Sequence, residues 1–196
     1  MITRRLLATL CLALPLALGV RAGDLPVRAA RASVVRPQSF EDLVDRSRAV
    51  VVGVPAEQTS VWEGGRIVTY TRVAVVERVA GEAEDSLWVR TLGGEVGDLG
   101  QRVDGEATLT IGAPTLLFLE RAASGTYAVA ARAQGQFLVE ARSSGRVLRP
   151  HPSMGAFMTK GPKDIVVPAA DRLKTRALDE AARDIRARWE KTHARR

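Results

Sequence analysis

Residues 66–77, RIVTYTRVAVVE, decide the fold. In extended chain, successive side chains point to opposite sides. Ile67, Thr69, Thr71, Val73 and Val75 therefore share one face, and Val68, Tyr70, Arg72, Ala74 and Val76 share the other. Both faces are partly apolar, which predicts a long strand covered on each side for part of its length. Upstream, residues 49–54 (AVVVGV) form a β-branched run that predicts a buried strand. Residues 58–62 continue it past a bulge near Pro55, and Glu63, Gly64 and Gly65 mark a turn into residues 66–77. Downstream, short strands are expected at 86–91 (SLWVRT), 107–111 (ATLTI), 115–120 (TLLFLE), 126–131 (TYAVAA), 136–141 (QFLVEA) and 146–148. Turn residues recur about every 8–12 positions between them, the spacing of a closed barrel or sandwich.

Helices are expected only at the two ends of this β region. Ser39 can cap a helix over residues 40–47, where Glu41 and Asp42 sit at the positive end of the dipole and Phe40, Leu43 and Val44 share a face. The second is an amphipathic helix over residues 171–192. Leu178, Ala181, Ala182, Ile185 and Trp189 form its stripe, and docking on the barrel is preferred to docking on an anionic membrane. The domain plan is a signal peptide (1–22), a flexible leader (23–38), a barrel (39–150), a loop (151–167) and a terminal helix with a basic tail (168–196).

The signal peptide is read from Arg4 and Arg5, the apolar run at 6–20, and small residues before a cleavage near Ala22. Export to the periplasm or outside the cell follows, without stable membrane insertion, because the apolar run is too short to span a bilayer. Cys11, the only cysteine, lies inside that run, so the processed chain has no thiol or disulfide chemistry. The chain carries 29 Lys+Arg against 22 Asp+Glu. Three of those arginines lie in the signal peptide, and residues 172–196 hold nine basic against four acidic side chains. The body is close to neutral, which argues against nucleic acid as a partner.

Several stretches bear a family likeness. Residues 41–53 (EDLVDRSRAVVVG), 76–81 (VERVAG) with 87–91 (LWVRT), and 111–119 (IGAPTLLFL) resemble netrin-like modules, the fold of the tissue inhibitors of metalloproteinases and their bacterial look-alikes. The resemblance covers about residues 39–141. It implies a closed OB-like β-barrel with a helix packed at its side, and it suggests regulation or inhibition of a secreted peptidase as an alternative function. The animal inhibitors chelate the protease zinc through an amino-terminal cysteine. Here the expected mature start is Gly23, so that chemistry has no residue to carry it.

Between two expected strands lies residues 92–105, LGGEVGDLGQRVDG, with five glycines. A phosphate-cradling loop would lead into a helix and carry Lys-Ser/Thr; this one leads into an expected strand. Loops on rigid barrels often carry recognition, so Gly93, Gly94, Glu95, Asp98, Gly100 and Arg102 are the candidate contact residues. Glu95, Asp98, Asp104 and Glu106 lack the spacing of a calcium loop. The two histidines, His151 and His193, sit in an expected loop and at a chain end, and no HExxH or GxSxG is present. The expectation is a non-catalytic binding module for another exported protein, without a cofactor. A secreted peptidase is the alternative partner, and a carboxylate-based hydrolase is a weaker alternative.

Overall fold

The computed structural model describes residues 36–122, 125–154 and 166–193. The expected signal peptide, most of the leader and residues 155–165 of the expected loop lie outside them. Helix α1 (Phe40–Arg46) begins as the sequence requires: Ser39 Oγ accepts the Asp42 amide at 3.0 Å. Strands β1 (Ala49–Glu63) and β2 (Arg66–Gly81) form a long antiparallel hairpin, turned by Gly64 and Gly65 at φ of 56° and 76°. Left-handed values at both central positions suit the right-handed twist of the flanking strands. Register shifts in β1 fall at three places, one of them at Pro55, where the bulge was expected.

Strand β3 (Ser86–Leu92) follows β2, and a small hairpin of β4 (Gly94–Val96) and β5 (Leu99–Gln101) leaves the main sheet. Strands β6 (Thr115–Arg121), β7 (Tyr127–Val129), β8 (Gln136–Arg142) and β9 (Gly145–Pro150) complete it. The order β1-β2-β3-β7-β6 closes because β6 pairs back onto β1 over Ala49–Gly53, with β3 and β7 the one parallel pair. The fold is mostly β, a closed five-strand barrel consistent with an OB-like topology, with one helix before it and helices after it. Among the described residues no helix is long and apolar enough to cross a membrane.

Two apolar cores explain why residues 49–53 are buried on both faces. Ala49, Val51, Val73, Leu87, Val89, Leu117 and Leu119 fill the barrel. Val50, Val52, Leu116 and Phe118 point outward from the same wall and are covered by α1 and by helices α2 (Ala169–Leu173) and α3 (Leu178–His193). Leu178, Ala181, Ala182 and Ile185 are fully buried there and Trp189 packs against them, so the amphipathic stripe docks on the protein body. A bidentate Arg188–Asp45 pair, its Nε–Oδ1 arm 2.7 Å long, ties α3 to α1.

Three expectations are corrected. Residues 107–111 are not a strand. Ala107 and Leu109 plug the barrel interior, and the segment is strapped by side chains instead of a backbone ladder. The buried Gln136 amide donates to Thr108 O at 2.7 Å and accepts the Thr108 amide at 3.0 Å, while Gln58 donates to Leu109 O. Hydrophobic alternation shows only that side chains alternate, not whether a strand or an amide group answers the backbone. Nor is the terminal helix continuous. It breaks between α2 and α3, where the Thr175 amide donates to Leu148 O at 2.8 Å and the Leu148 amide to Arg176 O at 3.0 Å. The open edge of β9 thus claims backbone that helical propensity alone would have kept. The end of the leader is also ordered: Pro37 is buried, and Gln134 Oε1 accepts the Gln38 amide at 2.8 Å.

Candidate functional site

The glycine-rich segment divides into an anchored root and a displayed tip. At the root, the Gly93 amide donates to Ile67 O at 2.8 Å and Gly93 O accepts the Thr69 hydroxyl at 2.7 Å. Gln101 closes the other side, its Oε1 accepting the Ile67 amide at 2.6 Å. No side chain fits at either glycine. A Cβ on Gly93 would lie 2.6 Å from Gln101 O, and one on Gly94 (φ 127°) would collide with Thr69 Oγ1 and approach Ser60 Oγ to 2.5 Å. Gly93 and Gly94 therefore allow backbone to lie against the β1–β2 hairpin, a close approach that glycine alone permits.

Beyond the root the hairpin turns through Gly97 and Asp98. Glu95, Asp98, Gly100 and Arg102 are all exposed, and Arg102 is 3.8 Å from the equally exposed Asp104. Leu99 stands 62% exposed beside them. Of the six residues singled out from sequence, two hold the hairpin and four are presented by it. Gly93, Gly94 and Arg102 also border a cavity of about 710 Å³, together with Gln58, His151 and Ser153. His151 Nδ1 lies 2.7 Å from Ser153 Oγ and 3.2 Å from the Ser153 amide. This arrangement caps the short 3₁₀ turn Pro152–Met154. Burial, then Arg149, depresses the His151 pKa, so the ring is neutral near pH 7 and accepts that amide.

The adjoining stretch of β1 adds to this rim. Strand β6 pairs with its second edge only as far as Gly53, and among the described residues no strand is paired with that edge from Glu57 to Glu63, although Gly94 packs against Ser60 and Gln58 holds Leu109 O. Val61 and Trp62, the latter 54% exposed, stand at its outer end.

On the other side of the segment lies a cluster that sequence reading missed. In the sequence Glu106 stands only as one of four carboxylates without calcium spacing. Its side chain is 9% exposed, and it lines both the first cavity and a second of about 420 Å³. Burial pushes the Glu106 carboxyl above the usual range; Arg132, whose Nε is 3.8 Å away, and the backbone amides of Ala107 and Leu92 oppose this. Arg36, Arg46, Arg90 and Arg132 line the second cavity with Glu120. Arg132 arrives there on unusual backbone: Ala131 and Arg132 are consecutive non-glycine residues at φ of 54° and 60°. Such conformations cost about 1–3 kcal/mol each, and they concentrate at functional positions. These residues come from six separate segments, and no local motif announces them. Among the described residues no group of three His, Cys, Asp or Glu is placed to hold a metal ion.

The fold and its rim define a class: a closed OB-like barrel that presents a pinned hairpin beside a strand edge left unpaired among the described residues. No protein-family model, curated protein or solved structure matches the chain.

Proposed function

We propose that the protein is an exported, non-catalytic module, built on a netrin-like barrel, that binds another protein through the rim formed by β1 and the β4–β5 hairpin. The observation that carries this reading is the β1 edge from Glu57 to Glu63, which no strand pairs among the described residues, with the exposed Trp62 at its end. Unpaired strand edges are templates for an incoming strand, and natural proteins usually blunt them. Main-chain pairing would supply affinity, and the exposed Trp62 is of a residue type enriched where binding energy concentrates. The pinned root of the hairpin keeps Leu99, Asp98 and Arg102 in a defined place, so little ordering entropy is lost on contact.

Photo-crosslinking from position 59 of the processed chain in a periplasmic or secreted extract tests this. Expected is one dominant adduct that disappears when Trp62→Ala and Leu99→Asp are combined, with the circular-dichroism spectrum unchanged. No adduct, or one indifferent to both substitutions, overturns the reading. Asp98→Ala with Arg102→Ala asks separately whether the hairpin tip takes part. Assaying secreted peptidases against the protein decides whether the bound partner is a peptidase.

A further inference from the structure

We propose that the arginine-lined cavity between α1, β3, β6 and the Ala131–Arg132 turn is a binding site for a small molecule carrying a carboxylate or phosphate group. Four arginines, Arg36, Arg46, Arg90 and Arg132, line a space of about 420 Å³ whose wall holds only two carboxylates, Glu106 and Glu120. The space is of the size that small ligands occupy. Glu120 is engaged by Arg46, with contacts of 3.0 and 3.2 Å. Arg90 reaches away to Glu63 at 2.7 Å. Arg36 has no carboxylate within ion-pairing distance among the described residues, and Arg132 has only Glu106, at a separation too long for a hydrogen bond. The cavity therefore carries positive charge that its own side chains leave incompletely answered. Planar guanidinium forks are the side chains best matched to the paired oxygens of a carboxylate or phosphate.

The backbone supports the same conclusion. Ala131 and Arg132 are held left-handed by their neighbours: the Ala130 amide donates to Phe118 O at 2.8 Å and the Ala133 amide to Gly105 O at 3.1 Å. The buried Gln134 amide completes the support, bonding the Gln38 amide and Arg36 O at 2.8 and 3.2 Å. A glycine at 132 would relieve the conformation, yet the position holds an arginine that gains no hydrogen-bonded carboxylate. Strain retained for a side chain with so little to bind inside the protein is explained by a ligand from outside it.

The test is calorimetric titration of the intact protein with inorganic phosphate, succinate and citrate, against sodium chloride of matched ionic strength. Expected is saturable binding of at least one of the three, at least tenfold tighter than any chloride effect; phosphate against the two carboxylates tells which oxyanion the site prefers. Arg132→Ala weakens that binding tenfold or more. Arg132→Gly weakens it equally while raising the melting temperature of the unliganded protein, the signature of strain kept for binding. Should the Arg132 variants not fold, Arg36→Ala removes the arginine that has no carboxylate of its own among the described residues and is expected to weaken binding several-fold. Absence of binding above the chloride control, or binding unchanged in Arg132→Ala or in Arg36→Ala, overturns the proposal.

Discussion

Gly94 and Gly100 stand six residues apart in the same glycine-rich segment, and the structure uses them in opposite ways. Gly94 lies at φ 127° against the Ser60–Thr69 hydroxyl pair, with no room for a Cβ. Gly100 has open space around it, and a Cβ there would make only an ordinary contact with Glu95 Cγ at 3.6 Å. One glycine is a packing requirement and the other is part of a presented surface. A glycine-rich stretch is therefore not uniformly flexible: its stiffness is decided residue by residue, by what the backbone lies against.

The sharpest way to break this contrast is Gly94→Ala. Collision with Thr69 and a backbone conformation unfavourable to alanine together should cost about 3 kcal/mol, read as a loss of roughly 10 °C in melting temperature. An unchanged Tm would show that the root is not anchored. Next comes Gln136→Leu, which removes the amide that straps Thr108. Leaving those backbone groups unanswered should lower stability by about 2 kcal/mol in urea unfolding and raise hydrogen exchange at 107–110.

The α1–α3 clamp gives a smaller and pH-dependent effect. Hydrogen bonding from Arg188 holds the Asp45 carboxyl below its ordinary range. A depressed folded-state pKa contributes stability that is present above the unfolded value and is lost as pH falls through the folded one. Arg188→Ala should accordingly cost on the order of 1 kcal/mol at pH 7, the difference from wild type shrinking as Asp45 protonates in acid. Glu106 has the opposite sign, because burial raises its carboxyl pKa. Its protonated form is the one the fold favours, so the ionised form weakens the fold increasingly as pH rises through the folded value. Glu106→Gln should raise the melting temperature by about 2 °C at neutral pH and by nothing below the ordinary carboxylate range, measured by thermal unfolding at several pH values. Smallest of all is Gly100→Ala, expected to move Tm by less than about 1 °C. A large loss there would erase the distinction between root and tip.

Much of the fold was legible in the chain. Alternation in residues 66–77 and the β-branched run at 49–54 located the two longest strands, and the turn at Gly64 and Gly65 joined them. The Ser39 cap and the Leu178–Ile185 stripe located two helices and the face each buries. These are properties of neighbouring residues, and local geometry expresses them directly. The candidate site was legible only in part. Five glycines marked a loop worth attention, but nothing in their spacing separated those that brace from those that face outward.

Sequence by itself determined strands β1, β2, β3 and β6, the capped first helix and the amphipathic stripe of the third, because side-chain periodicity and backbone preference act over a few residues. Tertiary structure alone decided that residues 107–110 plug the barrel instead of joining it, that β9 interrupts the terminal helix, and that Arg36, Arg46, Arg90, Glu106, Glu120 and Arg132 meet around one cavity. Each of those outcomes depends on which distant group reaches a backbone amide or a charge first. That competition is settled only when the chain closes on itself.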